Sequence, residues 1–70
     1  MISMSEKIRI ILKRKKMTVG DLAAKLSTSS QNLSNKLTRN NFSEQELYKI
    51  AEALECRFEG YFIFNNNEKI

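Results

Sequence analysis

Residues 18–37 read Thr18-Val19-Gly20-Asp21-Leu22-Ala23-Ala24-Lys25-Leu26-Ser27-Thr28-Ser29-Ser30-Gln31-Asn32-Leu33-Ser34-Asn35-Lys36-Leu37, and the fold turns on how that run divides. Val19, Leu22, Ala23 and Leu26 recur at the helical period behind a Thr18-x-x-Asp21 start. Leu33 and Leu37 are a second apolar pair at the same spacing. Between the two sets, Ser27-Thr28-Ser29-Ser30 is a polar break of two or three residues at most. Thr28 and Ser29 can each cap the second of the two segments. The reading is two short amphipathic helices joined by a tight polar turn.

Working outward, Ser3-x-x-Glu6 is a capping box followed by Ile8, Ile11 and Leu12 at helical spacing. The run Lys13-Arg14-Lys15-Lys16 falls in that helix's last turn, where cations suit the helix dipole. On the other side, Thr38–Asn41 has the composition of a turn. Ser43-x-x-Glu46 then opens a fourth helix carrying Leu47, Ile50, Ala51 and Leu54, with Phe42 placed to staple onto Leu47. After Glu55 the pattern changes. Arg57–Phe64 is aromatic-rich and partly alternating, with Phe58, Phe62 and Phe64 on one side, and is read as a short C-terminal β-strand ended by Asn65-Asn66-Asn67.

A lone strand leaves backbone groups without partners. Either a return segment at 67–70 pairs with it or the same strand of a second chain does. Pairing across a two-fold axis satisfies both copies and covers the aromatic face, so it is the preferred reading. Phe58, Tyr61, Phe62, Ile63 and Phe64 then form a dimer interface. The competing reading makes Phe58 and Phe62 the apolar side of a short fifth helix. The expected architecture is mainly α: a four-helix domain over 1–56, with 57–70 as a strand and tail that serve as its dimerisation element.

Seventy residues hold one small domain, which buries only about 60% of its unfolded surface. There is no histidine, and the single Cys56 cannot form an internal disulfide. Metal, cofactor and acid–base chemistry are therefore not expected, and Cys56 is read as a small packed hydrophobe. With no glycine-rich phosphate loop, and little room for a substrate pocket, the chain is not read as an enzyme and no small-molecule substrate is expected. No stretch is apolar for long enough to span a bilayer, and the first six residues lack a signal-peptide pattern, so a cytoplasmic location is expected. Charge is uneven. Residues 1–40 hold nine Lys/Arg against two acids, whereas residues 41–70 hold three against six. A polyanion facing the first half is implied.

The second helix of the pair carries no acid from Thr28 to Phe42, and its outward side is built of poor helix formers. A face selected only for stability uses Glu, Lys and Ala instead. Gln and Asn bond both N6 and N7 of adenine, and Lys and Arg pair with guanine, so this face has the composition of a base reader. The competing reading is an ordinary polar surface helix.

The run from Thr18 to Ser34 resembles the Xre/Cro phage-repressor helix-turn-helix family. That pattern is Thr-Gln, two residues, Leu-Ala, three residues, Gly-Val-Ser, three residues, Ile-Ser. The likeness continues from Phe42 to Leu54 and covers roughly residues 4–56. Val19 stands where the family has glutamine and Ser27 where it has the turn glycine, and the aromatic stretch replaces the usual fifth helix. The resemblance implies a repressor-like DNA-binding domain whose recognition helix, about 29–37, enters the major groove of double-stranded DNA. Carried over by position, Ser30, Gln31 and Asn35 approach base edges, while Thr18, Ser29, Lys36, Arg39 and Asn40 contact the sugar-phosphate backbone. Ala23 permits close helix packing, and Leu22, Leu26, Leu33, Leu37, Leu47, Ile50 and Leu54 form the core. The implied function is a small homodimeric transcriptional regulator of repressor type. The alternative is a protein-interaction or antitoxin-like module that works through the 58–64 aromatic stretch. Lys13–Lys16 is open between long-range attraction of DNA and a solvated helix end.

Overall fold

Every helix of this chain starts at a serine or threonine and stops at a left-handed residue that is not glycine. In the computed structural model, which describes residues 1–70, the helices are α1 (Met4–Arg14), α2 (Val19–Lys25), α3 (Ser30–Arg39) and α4 (Glu44–Ala53). The caps are Ser3, Thr18, Ser29 and Ser43, each accepting from the backbone N–H three residues on. Of the two candidates for α3, Ser29 is the cap, and its Oγ accepts from Asn32 N–H at 3.1 Å. Full capping boxes form at Thr18/Asp21 and Ser43/Glu46. At α1 only half of the expected box forms: Ser3 Oγ accepts from Glu6 N–H at 3.1 Å, and the Glu6 carboxylate returns no bond.

The helix ends share one device. Lys16, Ser27, Asn40 and Glu55 take φ of 52–58°. Beyond them, the N–H groups of Met17, Thr28, Asn41 and Cys56 turn back onto the carbonyls of Leu12, Ala23, Lys36 and Ala51. This closure satisfies carbonyls that a helix end leaves orphaned. Between α2 and α3 it compresses the connection to the tight turn read from the sequence.

The four helices enclose one core of Ile8, Leu12, Leu22, Ala23, Leu33, Leu37, Leu47, Ile50 and Leu54. Leu26, expected among them, is only half-buried and packs against the edge of this core. Phe42 packs half-buried against the core in front of α4. One polar side chain is buried with these residues. Ser5 donates its hydroxyl to Leu37 O (2.6 Å) and its backbone N–H to Asn40 Oδ1 (3.0 Å), clasping the start of α1 to the end of α3.

The C-terminal segment differs from both readings of it. No fifth helix follows Ala53. Nor does a strand form: the segment has one antiparallel bridge, Ile63 to Lys69. Phe62 and Ile70 exchange N–H···O bonds of 2.7 and 2.9 Å, and Phe64 N–H donates to Glu68 O at 2.9 Å. Asn67 closes the turn with φ 69° and an N–H bond to Phe64 O. This is a three-residue hairpin loop with its third residue left-handed. The return at 67–70 is therefore the partner, within the chain, and three residues a side are too few for a ladder. Phe58 is half-buried against the core and meets Tyr48 edge-on at 5.9 Å. Phe62, Ile63 and Phe64 remain 79%, 64% and 50% exposed. Cys56, expected to be packed, is exposed, while its backbone N–H closes the end of α4 on Ala51 O.

Candidate nucleic-acid interface

α3 is anchored by Leu33 and Leu37, so the 3.6-residue period turns Gln31, Asn35 and Thr38 to the opposite side. All three are exposed. Gln31 Nε2 donates to Asn35 Oδ1 at 3.0 Å, so the two amides form one unit one turn long. Thr38 belongs to the same face. A reading by residue type passes over it, although the 31-35-38 spacing carries the signal. Ser30 sits at the edge of the face beside α2, where the missing side chain of Gly20 leaves room for its hydroxyl. A Cβ built on Gly20 would lie 3.3 Å from Ser30 Oγ.

The backbone-contact candidates are distributed around this face. Thr18 and Ser29 use their hydroxyl oxygens as caps; Ser29 keeps its O–H hydrogen for an outside acceptor, whereas that of Thr18 is shared with the Asp21 carboxylate. Asn40 holds Ser5 through Oδ1, which leaves its amide N–H groups free. Arg39 is exposed and forms no ion pair. Lys36 is placed differently: its ammonium lies 2.6 Å from Glu46 Oε2 on α4, at the flank of α3 rather than on its outward face. That ammonium, with the Ser43 N–H second, holds the Glu46 carboxyl down to a pKa of about 2. Lys13, Arg14, Lys15 and Lys16 are exposed and unpaired.

The geometry is thus a short brace helix, a tight turn, and a second helix presenting an acid-free amide and hydroxyl face. The family model of the Cro/C1-type HTH DNA-binding domain matches residues 7–66. The chain belongs to that family. Searches of curated proteins and of solved structures gave no significant match.

Within the Cro/C1-type domain, α2 and α3 are the helix-turn-helix, and DNA is the partner that the family binds. The left-handed Ser27 explains how the turn closes without the glycine of the family pattern. No helix is long and apolar enough to cross a membrane, and no three His, Cys, Asp or Glu residues stand together as metal ligands.

Proposed function

We propose that this chain is a small transcriptional regulator of repressor type. It binds double-stranded DNA sequence-specifically as a homodimer, with α3 in the major groove. The observation that carries the reading is the exposed, acid-free face of Gln31, Asn35 and Thr38 on the second helix of a Cro/C1-type helix-turn-helix. Ser30, Gln31 and Asn35 read base edges. Thr18, Ser29, Arg39 and Asn40 bond phosphates and fix register. Lys36 joins them by sharing its ammonium between Glu46 and the DNA backbone. Residues 1–56 form the DNA-binding unit, 57–70 join two copies, and the protein works in the cytoplasm.

Selection of bound duplexes from a randomised pool at physiological salt tests this. An inverted repeat with half-sites about one helical turn, ~34 Å, apart is the expected result. Lys36→Ala should weaken binding to all sequences alike and lower the salt slope by about 1, whereas Gln31→Ala should relax preference at particular base pairs. If the two variants behave identically, Gln31 is not a base reader.

The exposed Phe62, Ile63 and Phe64 favour a second reading, a module that docks a different protein on the C-terminal hairpin. A chain that neither enriches a sequence nor binds duplex DNA in a salt-sensitive way would take that place.

A further inference from the structure

The amide pair on α3 is not symmetric toward an outside partner. Each primary amide has one acceptor oxygen and two N–H donors. The bond from Gln31 Nε2 to Asn35 Oδ1, 3.0 Å long, uses one Gln31 hydrogen and turns the Asn35 oxygen back along the helix. Gln31 is left with a carbonyl oxygen beside one N–H. Asn35 is left with two N–H donors pointing away from the pair. Neighbouring Ser34 and Thr38 carry hydroxyls that donate or accept equally, so they do not dictate a pattern.

In the major groove adenine offers a donor, N6, beside an acceptor, N7, and guanine offers two acceptors, N7 and O6. Cytosine offers only the N4 donor. Resting on the reading of α3 as the base-contacting helix, we infer that Gln31 and Asn35 act as one coupled reader, Gln31 selecting adenine and Asn35 selecting the acceptor edge of a neighbouring guanine. A lone asparagine instead makes the two-bond adenine contact itself. Asn35 is prevented from doing so because its oxygen is already engaged by Gln31. Four residues of helix advance about 6 Å, so the two bases lie one or two base-pair steps apart at ~3.4 Å each. The specificity of the second position is therefore set by a residue that does not touch it.

The coupling can be measured. Randomised duplexes are selected with the wild-type chain, Gln31→Ala and Gln31→Glu. Gln31 is exposed and outside both the core and the caps, and circular dichroism of each variant confirms that the fold is kept. The wild type should enrich adenine and, within two base pairs, guanine, each by roughly ten- to a hundredfold. Gln31→Ala should lose the adenine and also move the second position from guanine to adenine, because the freed Asn35 amide turns. Gln31→Glu offers Asn35 only acceptors. Asn35 then donates to the carboxylate and turns its oxygen outward, and the second position should move to a base with a donor, cytosine or adenine. If the second position keeps guanine in both variants, the two side chains read independently and the coupling is wrong, while α3 remains the reader. A wild-type motif without the adenine and guanine pair also overturns the coupling alone. A wild type that enriches no sequence overturns the base-reading assignment and the pair with it.

Discussion

Ser27 and Asn40 share a dihedral and differ in what it costs them. Both end a helix in the left-handed region, at φ 57° and 52°. For an L-residue that region costs roughly 1–2 kcal/mol, except where a short amide side chain eases it. Ser27 is exposed and its side chain bonds nothing, so glycine there removes the steric cost and loses no contact. Part of the gain is offset by the greater freedom of glycine in the unfolded chain. Ser27→Gly should therefore stabilise the fold by about 1 kcal/mol, which raises Tm by roughly 4–8 °C for a domain of this size. Asn40→Gly should do the opposite, because Asn40 Oδ1 holds the Ser5 N–H. Thermal denaturation of the two variants decides it, and a Tm for Ser27→Gly below the wild type would sink the argument. The sequence marks Ser27 as the place where a glycine is missing. It gives no sign that Lys16 and Glu55 end their helices the same way, since their left-handed φ answers a closure made by backbone groups alone.

At the scale of elements, the helices were legible because their signals are local: caps three residues from their targets and apolar residues at the helical period. The contacts that join helices were not. Ser5 reaches carbonyl and amide oxygens 32 and 35 residues away, and nothing in the run around Ser5 separates it from an ordinary first-turn serine. Ser5→Ala removes the hydroxyl bond to the Leu37 carbonyl and should cost about 1 kcal/mol, read as a shift of the urea midpoint with an unchanged slope. Lys36 was legible as a basic residue on α3 but not as the partner of Glu46, since that depends on how α3 and α4 cross. Their pairing makes an acid-sensitive joint. Glu46 titrates well below the ordinary carboxylate range, at about 2, chiefly through Lys36. Asp21 is lowered too, first by the Thr18 N–H and then by the Thr18 hydroxyl. A carboxyl depressed in the folded state contributes stability above its unfolded pKa, and that contribution is lost as pH falls through the folded value. Stability should hold above pH ~5 and decline from the ordinary carboxylate range, near 4, toward pH 2. Glu46→Gln keeps the capping box but is blind to pH, so it should remove up to about 1 kcal/mol of that decline, given how exposed the pair is. An acid titration with the same decline in wild type and variant would show that the joint contributes nothing.

For the molecule as a whole, the C-terminal hairpin is the part that the helical body does not account for. A compact chain of this length has a radius of gyration near 11 Å, against 13.3 Å here, and the long axis of 42 Å is nearly twice the other two. Sequence patterning read the segment as a strand, whereas the fold has a hairpin with a single bridge; the pattern is the same whichever neighbour pairs with it, and the fold shows the return at 67–70 as that neighbour. Within the hairpin the bridge from Ile63 to Lys69 is the kind whose N–H and C=O groups point outward on both sides. One outer edge carries Lys69 beside Glu68, charges of the sort that discourage further pairing. The other carries Tyr61 and Ile63 and is open. In the proposed dimer, a two-fold axis at Ile63 would let its N–H and C=O bond the same residue of a second copy, joining the two hairpins edge to edge and bringing their aromatic side chains alongside one another. Proline at 63 tests this without dismantling the hairpin, because the Ile63 N–H makes no bond within the chain. Ile63→Pro should leave helix content unchanged and convert the dimer to monomer in sedimentation equilibrium. It should also abolish the preference for an inverted repeat over a single half-site. A variant that stays dimeric would place the two-fold elsewhere on the surface, and a wild type that is monomeric at every concentration would leave the open edge to a different protein.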